Sequence, residues 1–305
     1  MKGMVIKSTG SWYDLLAEDG TRYKGRLPGK FKIKDLKVTN PIAVGDEVEF
    51  EHGQDESVII QTILPRRNYL IRKSVHKTAE GHLIASNLDQ TLLVVTLAFP
   101  RTSLGFIDRF LVSAEAFGIP ALLIFNKADL YQEELKTIQT ELAETYEKLN
   151  YRSIRTSTIS GEGLQELKEI IKGKKSLFSG HSGVGKSSLL NALAPQFQIK
   201  TSEISDFANK GVHTTTFAEM YELEEKTFII DTPGIKELGI FEITEDELSH
   251  FFPEMVAVLG QCKFHNCKHI NEPKCAVIEK VKNGEIALSR YQSYLSMMMN
   301  DDSHR

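Results

Sequence analysis

The chain has 305 residues, enough for two or three domains. A hydrophobic share of 41% and a charged share of 26% are ordinary for a globular protein, and a formal net charge of −4 gives no global pull towards nucleic acid. The first residues contain no apolar signal stretch and no apolar run approaches the ~20 residues that span a bilayer, so the sequence reads as cytoplasmic, with no membrane association.

Residues 1–68 read as short strands. Met4-Val5-Ile6, Trp12 to Leu16, Asp46 to Phe50 and Ser57 to Ile60 are divided by turn signals at Asp19-Gly20, Pro28-Gly29, Gly45-Asp46 and His52-Gly53. Strands at this spacing suggest a small barrel of OB type, with an SH3-like barrel also compatible. Charge is local here. Arg22, Lys24, Arg26, Lys30, Lys32, Lys34 and Lys37 face the single acid Asp35, and Arg66, Arg67, Arg72, Lys73 and Lys77 form a second basic run. Pro65-Arg66-Arg67-Asn68 looks like an exit linker.

From about residue 88 strands and helices alternate, which argues for a doubly wound, mainly parallel sheet. Strands are expected at 92–95, 121–125, 153–155, 177–179 and 227–230. Helices are expected at 106–117, 133–149, 163–171 and 186–193. The strand at 121–125 runs into Asn126-Lys127-Ala128-Asp129. A carboxylate at a strand end can accept hydrogen bonds from guanine N1–H and the 2-amino group, which adenine cannot offer. Ser157 and Thr158 follow the next strand and complete a base-reading set.

The strand at 177–179 enters Gly180-His181-Ser182-Gly183-Val184-Gly185-Lys186-Ser187, which fits the phosphate loop G-x-x-x-x-G-K-[ST] at every fixed position. The backbone of Gly180, Ser182, Gly183, Val184, Gly185 and Ser188 is expected around the phosphates. Lys186 should bridge β- and γ-phosphate, and Ser187 should ligate Mg²⁺. The run Lys210 to Thr216 lies where a mobile switch belongs. Thr215 is preferred there as second magnesium ligand and catalytic group, with Thr214 left open. Asp231-Thr232-Pro233-Gly234 follows, Asp231 for the metal and the Gly234 N–H for the γ-phosphate. Ile235 stands where a water-orienting Gln often stands, so unaided hydrolysis should be slow. His213 in the switch is the candidate to orient water.

The base reader precedes the phosphate loop, whereas in an ordinary GTPase it comes last. A circular permutation explains that order, and it carries the segment after Gly234 straight into the C-terminal region. There every cysteine of the chain falls in Cys262-x4-Cys267-x-His269-x5-Cys275, a Cys₃His donor set suited to one structural zinc. His265 competes for the fourth position. The domains read from these changes are a barrel at 1–68, a permuted nucleotide domain at 69–239 and a helical zinc module at 240–305.

Taken together, Asn87-Leu88-Asp89-Gln90, Asp108-Arg109-Phe110-Leu111-Val112, the base reader, the phosphate loop, His213-Thr214-Thr215-Thr216, Asp231 to Gly234, the cysteine cluster and the ending Arg290-Tyr291-Gln292-Ser293-Tyr294 resemble the circularly permuted ribosome small-subunit-dependent GTPase A family. The likeness covers nearly the whole chain. It implies an OB-fold on ribosomal RNA, GTP hydrolysis to GDP stimulated by the small subunit, a late role in that subunit's maturation, and a monomer that uses Mg²⁺ and one zinc. It also points to His213. His181 departs from the commoner Gln, Val212 from a basic residue, and Gly183 from the Asn of potassium-dependent relatives. A metabolic P-loop kinase or ATPase is opposed by Asn126 to Asp129, and an inert RNA-binding zinc protein by intact Lys186, Ser187 and Asp231.

Overall fold

The computed structural model describes residues 1–28, 38, 40–53, 57–73, 81–197, 218–224, 226–231 and 243–299. Five strands open the chain: β1 (Lys2–Ser8), β2 (Tyr13–Ala17), β3 (Arg22–Arg26), β4 (Glu47–His52) and β5 (Val58–Ile63). Alternation puts Tyr13, Leu15 and Ala17 of β2 inward, against Val48 and Phe50 of β4 and Val58 and Ile60 of β5. Their order is β1-β2-β3-β5-β4, with β4 pairing back onto β1 and β3 parallel to β5. That closed order is the OB type and removes the SH3-like alternative. The strand β3 was read only as part of a charged run. Its Arg22, Lys24 and Arg26 are exposed while Gly25 faces inward, so one face of a basic segment is barrel wall.

A hairpin follows, β6 (Tyr69–Lys73) and β7 (Gly81–Ser86), which the sequence reading left unassigned. It buries Leu70, Ile71 and Leu83, and Tyr69 packs on Phe117 with ring centroids 4.9 Å apart. A buried ion pair clamps the barrel to this hairpin. Asp46 accepts from Arg66 Nε and Nη2, both at 2.7 Å, and from the Ser86 hydroxyl at 2.5 Å. Gly45 has φ +94° and a Cβ there would strike the Ser86 carbonyl, so this approach requires glycine.

The α/β domain then runs β8 (Gln90–Val95), α1 (Leu104–Ala116), β9 (Ala121–Phe125), α2 (Glu133–Glu147), β10 (Arg152–Arg155), α3 (Leu164–Ile171), β11 (Lys175–Ser179), α4 (Lys186–Leu193), β12 (Glu219–Glu224) and β13 (Thr227–Asp231). The sheet order is β10-β9-β8-β11-β13-β12. Every neighbouring pair is parallel except β12 with β13. Residues of β8 are buried along its whole length, as a strand covered on both faces demands. Phe106, Ile107, Phe110 and Leu111 of α1 join Tyr146 of α2 in one core, while Leu167, Ile170, Leu189 and Leu190 of α3 and α4 share the other. The strand β12, missed because Glu-Met-Tyr-Glu-Leu-Glu looks polar, continues the sheet into the barrel through the pair Lys7 and Glu219, whose ion pair spans 3.0 Å. Both side chains are part-exposed, so this contact sets register more than stability.

The C-terminal module holds α5 (Pro253–Val256), α6 (Ala276–Lys282) and α7 (Leu288–Met298). Leu248, Phe252, Met255, Val277, Tyr294 and Met297 form its core together with Val112 of α1. Its docking is ionic at the centre. Arg290 of α7 is 1% exposed and donates to Asp108 of α1 (Nη1 to Oδ1, 2.7 Å) and to both oxygens of Glu254 on α5 (2.7 and 3.2 Å). The Tyr146 hydroxyl from α2 donates to the same Asp108 oxygen at 2.8 Å. Among the described residues no helix is long and apolar enough to cross a membrane.

Candidate functional site

The strand ends of the parallel sheet bring the expected groups to one edge, where ligands of such sheets bind. β11 is buried and ends at Ser179; the loop then turns through Gly180, Gly183 and Gly185 at φ +142°, +82° and +92° before α4 begins at Lys186. A side chain at Gly180 would strike the Val94 carbonyl, and a Cβ at Gly185 would lie 2.5 Å from Asn126 Nδ2. The glycines are therefore required by neighbouring strands as well as by any phosphate.

Lys186 is buried, and its ammonium donates to the carbonyls of Gly180 (2.6 Å) and His181 (2.9 Å). Burial pulls its pKa down and the Asp231 carboxylate pushes it back up. The ammonium is held across its own loop. Ser187 is partly buried in the first turn of α4, and Ser182 and Ser188 are exposed. Asp231 is buried at the end of β13, its Cα paired with Phe178 on β11. His181 stacks on Phe106 of α1 with centroids 3.7 Å apart. Burial, then Lys186, lower its pKa, which favours the neutral ring.

The base-reading segment is tied to this loop directly. Asn126 Nδ2 donates to the Val184 carbonyl at 2.9 Å, and Asn126 Oδ1 accepts from the Thr156 hydroxyl at 2.9 Å. Lys127 adopts φ +61° and donates to the Phe99 carbonyl at 2.6 Å. Burial lowers the Lys127 pKa, with Asp129 opposing. Ser157 donates to Asp129 Oδ1 at 2.5 Å while its hydroxyl oxygen accepts the N–H groups of Ile159 and Ser160. Thr158 is half-buried beside it. The sequence reading missed Thr156 as the partner of Asn126 and missed Tyr131, whose hydroxyl donates to the Asn126 carbonyl at 2.8 Å and accepts from the Leu97 N–H at 3.1 Å. The only sequence signal was a tyrosine closely following the motif. His213, Thr214, Thr215, Thr216, Thr232, Pro233, Gly234 and Ile235 lie outside the described residues, as do Lys30, Lys32, Lys34 and Lys37.

In the C-terminal module the donor atoms of Cys262, Cys267, His269 and Cys275 all lie within 4.8 Å of one another. Individual separations are 3.9 Å between the sulfurs of Cys262 and Cys275, 3.6 Å from Cys262 Sγ to His269 Nδ1, and 3.3 Å from Nδ1 to Cys275 Sγ. A tetrahedral zinc with bonds of ~2.0–2.3 Å needs donors roughly 3.3–3.8 Å apart, so the cluster has the right size. His269 sits at φ +57° and is buried, and Tyr291 donates to its carbonyl at 2.7 Å. His265 is exposed and stands outside the cluster. Burial raises the thiol pKa of Cys267 and of Cys275.

The RsgA GTPase family model matches residues 63–241 and the RsgA N-terminal domain model matches residues 2–60. A small ribosomal subunit biogenesis GTPase RsgA from Cytophaga hutchinsonii is 58% identical, the alignment covering 100% of both chains. Another protein of that name, from Flavobacterium johnsoniae, is 49% identical over 100% of this chain and 94% of its own. Among solved structures, YjeQ from Thermotoga maritima superposes with a TM-score of 0.78 at 38% identity, covering 100% of this chain and 99% of that one. YloQ, described as a circularly permuted GTPase, gives 0.72 at 29% identity, covering 100% and 96%.

Proposed function

The chain belongs to the RsgA GTPase family and is a GTP hydrolase, and we propose that its substrate-bound form acts on the small ribosomal subunit, through ribosomal RNA, late in that subunit's maturation. The observation that carries the nucleotide half is the Asn126 to Val184 hydrogen bond, which joins base reader and phosphate loop into one site despite their reversed order.

The roles follow from the chemistry of each position. N–H groups of Gly180, Ser182, Gly183, Val184, Gly185 and Ser188 cradle phosphate oxygens. Lys186 transfers its two hydrogen bonds from loop carbonyls to β- and γ-phosphate. Ser187, Thr215 and Asp231 are the residues that would hold Mg²⁺, which when bound would neutralise charge on the phosphate oxygens. A buried carboxylate at Asp231, near enough to oppose the burial that lowers the Lys186 pKa, and a hydroxyl at Ser187 in the first turn of α4 fit such an ion. The Gly234 N–H meets the γ-phosphate. Asp129 accepts from guanine N1–H and the 2-amino group, Lys127 covers the base, Asn126 holds the loop, and Ser157 and Thr158 close the rim. His213 orients the attacking water when the small subunit is bound.

Cys262, Cys267, His269 and Cys275 hold one structural zinc, for which donor chemistry and spacing both fit. The domains are assigned to 1–68, 69–239 and 240–305. RNA binding by the barrel is supported by the exposed Arg22, Lys24 and Arg26 on β3 and by Arg26 lying 6.0 Å from the ring of exposed Trp12. The protein works as a cytoplasmic monomer that does not enter membranes. Co-sedimentation tests the reading. With a non-hydrolysable GTP analogue the chain should travel with purified small subunits and not with large ones, and GDP should release it. Equal recovery with both subunits, or in both nucleotide states, would remove the proposal.

A further inference from the structure

We propose that Tyr131 is a positioning residue for guanine selectivity, its hydroxyl pinning the Asn126 to Asp129 turn to the loop that leaves β8. The inference rests on the reading that Asp129 contacts the base. Tyr131 is 4% exposed, and its ring packs in the core beneath α1 and α2. Its hydroxyl makes both bonds a phenol makes best: it donates to the Asn126 carbonyl at 2.8 Å and accepts from the Leu97 N–H at 3.1 Å. Both backbone groups belong to buried residues. Burial pushes the phenol above its ordinary range, so it stays protonated and remains a donor.

The two bonded segments are the ones that shape the base site. Loop 96–102 closes on itself through the Thr102 N–H to the Thr96 carbonyl and the Thr96 N–H to the Thr102 hydroxyl. It offers the Phe99 carbonyl that holds Lys127. The turn carrying Asp129 is fixed at Asn126 by Val184 and Thr156, at Ala128 by an N–H to the Thr156 carbonyl, and at Asp129 by Ser157. Towards the loop leaving β8 it is anchored, among the described residues, by Lys127 to Phe99 and by Tyr131 to Leu97. Lys127 is half-buried and long, and a bound base competes for its stem. The phenol is short, rigid and buried, so it is the anchor that persists with the base in place.

Removing the hydroxyl strands a buried N–H and a buried carbonyl, and the turn relieves this by shifting. A shift of the turn degrades the two bonds from Asp129 to guanine, which depend on geometry. The phosphate contacts are made by α4 and its loop; the turn meets that loop through the Asn126 side chain, which Thr156 also holds, so they stay in place. A purely structural tyrosine would weaken all ligands together.

The test measures affinities of the full-length chain and of Tyr131→Phe for GDP, for inosine diphosphate, which lacks the 2-amino group, and for inorganic tripolyphosphate. In the parent, GDP should bind far more tightly than inosine diphosphate. In Tyr131→Phe, GDP affinity should fall about tenfold, equivalent to ~1.4 kcal/mol, with a smaller loss for inosine diphosphate and none for tripolyphosphate. A narrowed ratio with intact tripolyphosphate binding supports the positioning role. An unchanged ratio, or an equal loss for all three ligands, overturns it. A parent chain that does not discriminate the two diphosphates overturns the Asp129 assignment itself.

Discussion

Arg290→Ala should detach the C-terminal module from α1. The guanidinium is 1% exposed and makes three charge-assisted hydrogen bonds, one to Asp108 and two to Glu254, with the Phe252 ring 4.7 Å from its centre. Substitution leaves two buried carboxylates without their shared cation. Asp108 then keeps only the Tyr146 hydroxyl on Oδ1, and its Oδ2 already has no hydrogen-bond partner. Truncating one member of a buried ion network costs about 3–5 kcal/mol. The lost cation also served as the contact between α7, α5 and α1, so the loss should fall on docking rather than on the sheet. Urea unfolding followed by circular dichroism, with hydrogen exchange on α1 and α7, reads this directly. The exchange should accelerate in α7 and in the exposed face of α1, while β8 and β11 remain protected. The companion variant Asp108→Leu, Tyr146→Phe, Glu254→Met, Arg290→Met should recover most of the stability, because a well-packed apolar set carries no desolvation penalty and leaves no buried hydroxyl without its acceptor. A loss below about 1 kcal/mol in Arg290→Ala, or uniform exchange over all strands, would refute the reasoning.

Three further outcomes follow from the site. Gly185→Ala should lose GDP binding by at least ~100-fold in calorimetry and should also lower unfolding stability by about 1 kcal/mol or more, because the residue has φ +92° and the new Cβ meets Asn126 Nδ2. Asp129→Asn should exchange preference for guanosine nucleotides for xanthosine nucleotides, since the 2-oxo group of xanthine needs a donor; competition binding with the two triphosphates checks it. Elemental analysis should find one zinc per chain. Its removal by a chelator should melt the 243–299 region while GDP binding persists, seen as lost near-ultraviolet signal at unchanged nucleotide affinity.

Much of the site was legible because its residues are obligatory. The phosphate loop needs glycine where the chain turns through positive φ, and the base reader needs a carboxylate at a strand end. Cys262, Cys267 and Cys275 converge with His269 as their spacing suggested, and His265, the competing donor, is exposed and stands outside the cluster. What was hidden depends on pairs distant in the chain. β3 and β12 are short and rich in charge, so their strand character is fixed by the neighbours they pair with. Arg290 was visible only as a family phrase, and nothing local tells that it crosses to Asp108. That contact also bears on signalling. If the segment after Gly234 reports nucleotide state, reorienting the zinc module must break a buried ion network, so Ile243 to Glu247, tied to the module through Lys268 and Glu245 at 3.1 Å, is the more yielding route.

The most direct measurement is steady-state phosphate release from GTP by the purified chain, alone and with purified small ribosomal subunits. Slow turnover alone, a rise of about 10²-fold or more with small subunits, and loss of that rise in Lys186→Ala are the expected results. The same low rate with and without subunits, or equal release from ATP, would contradict the account.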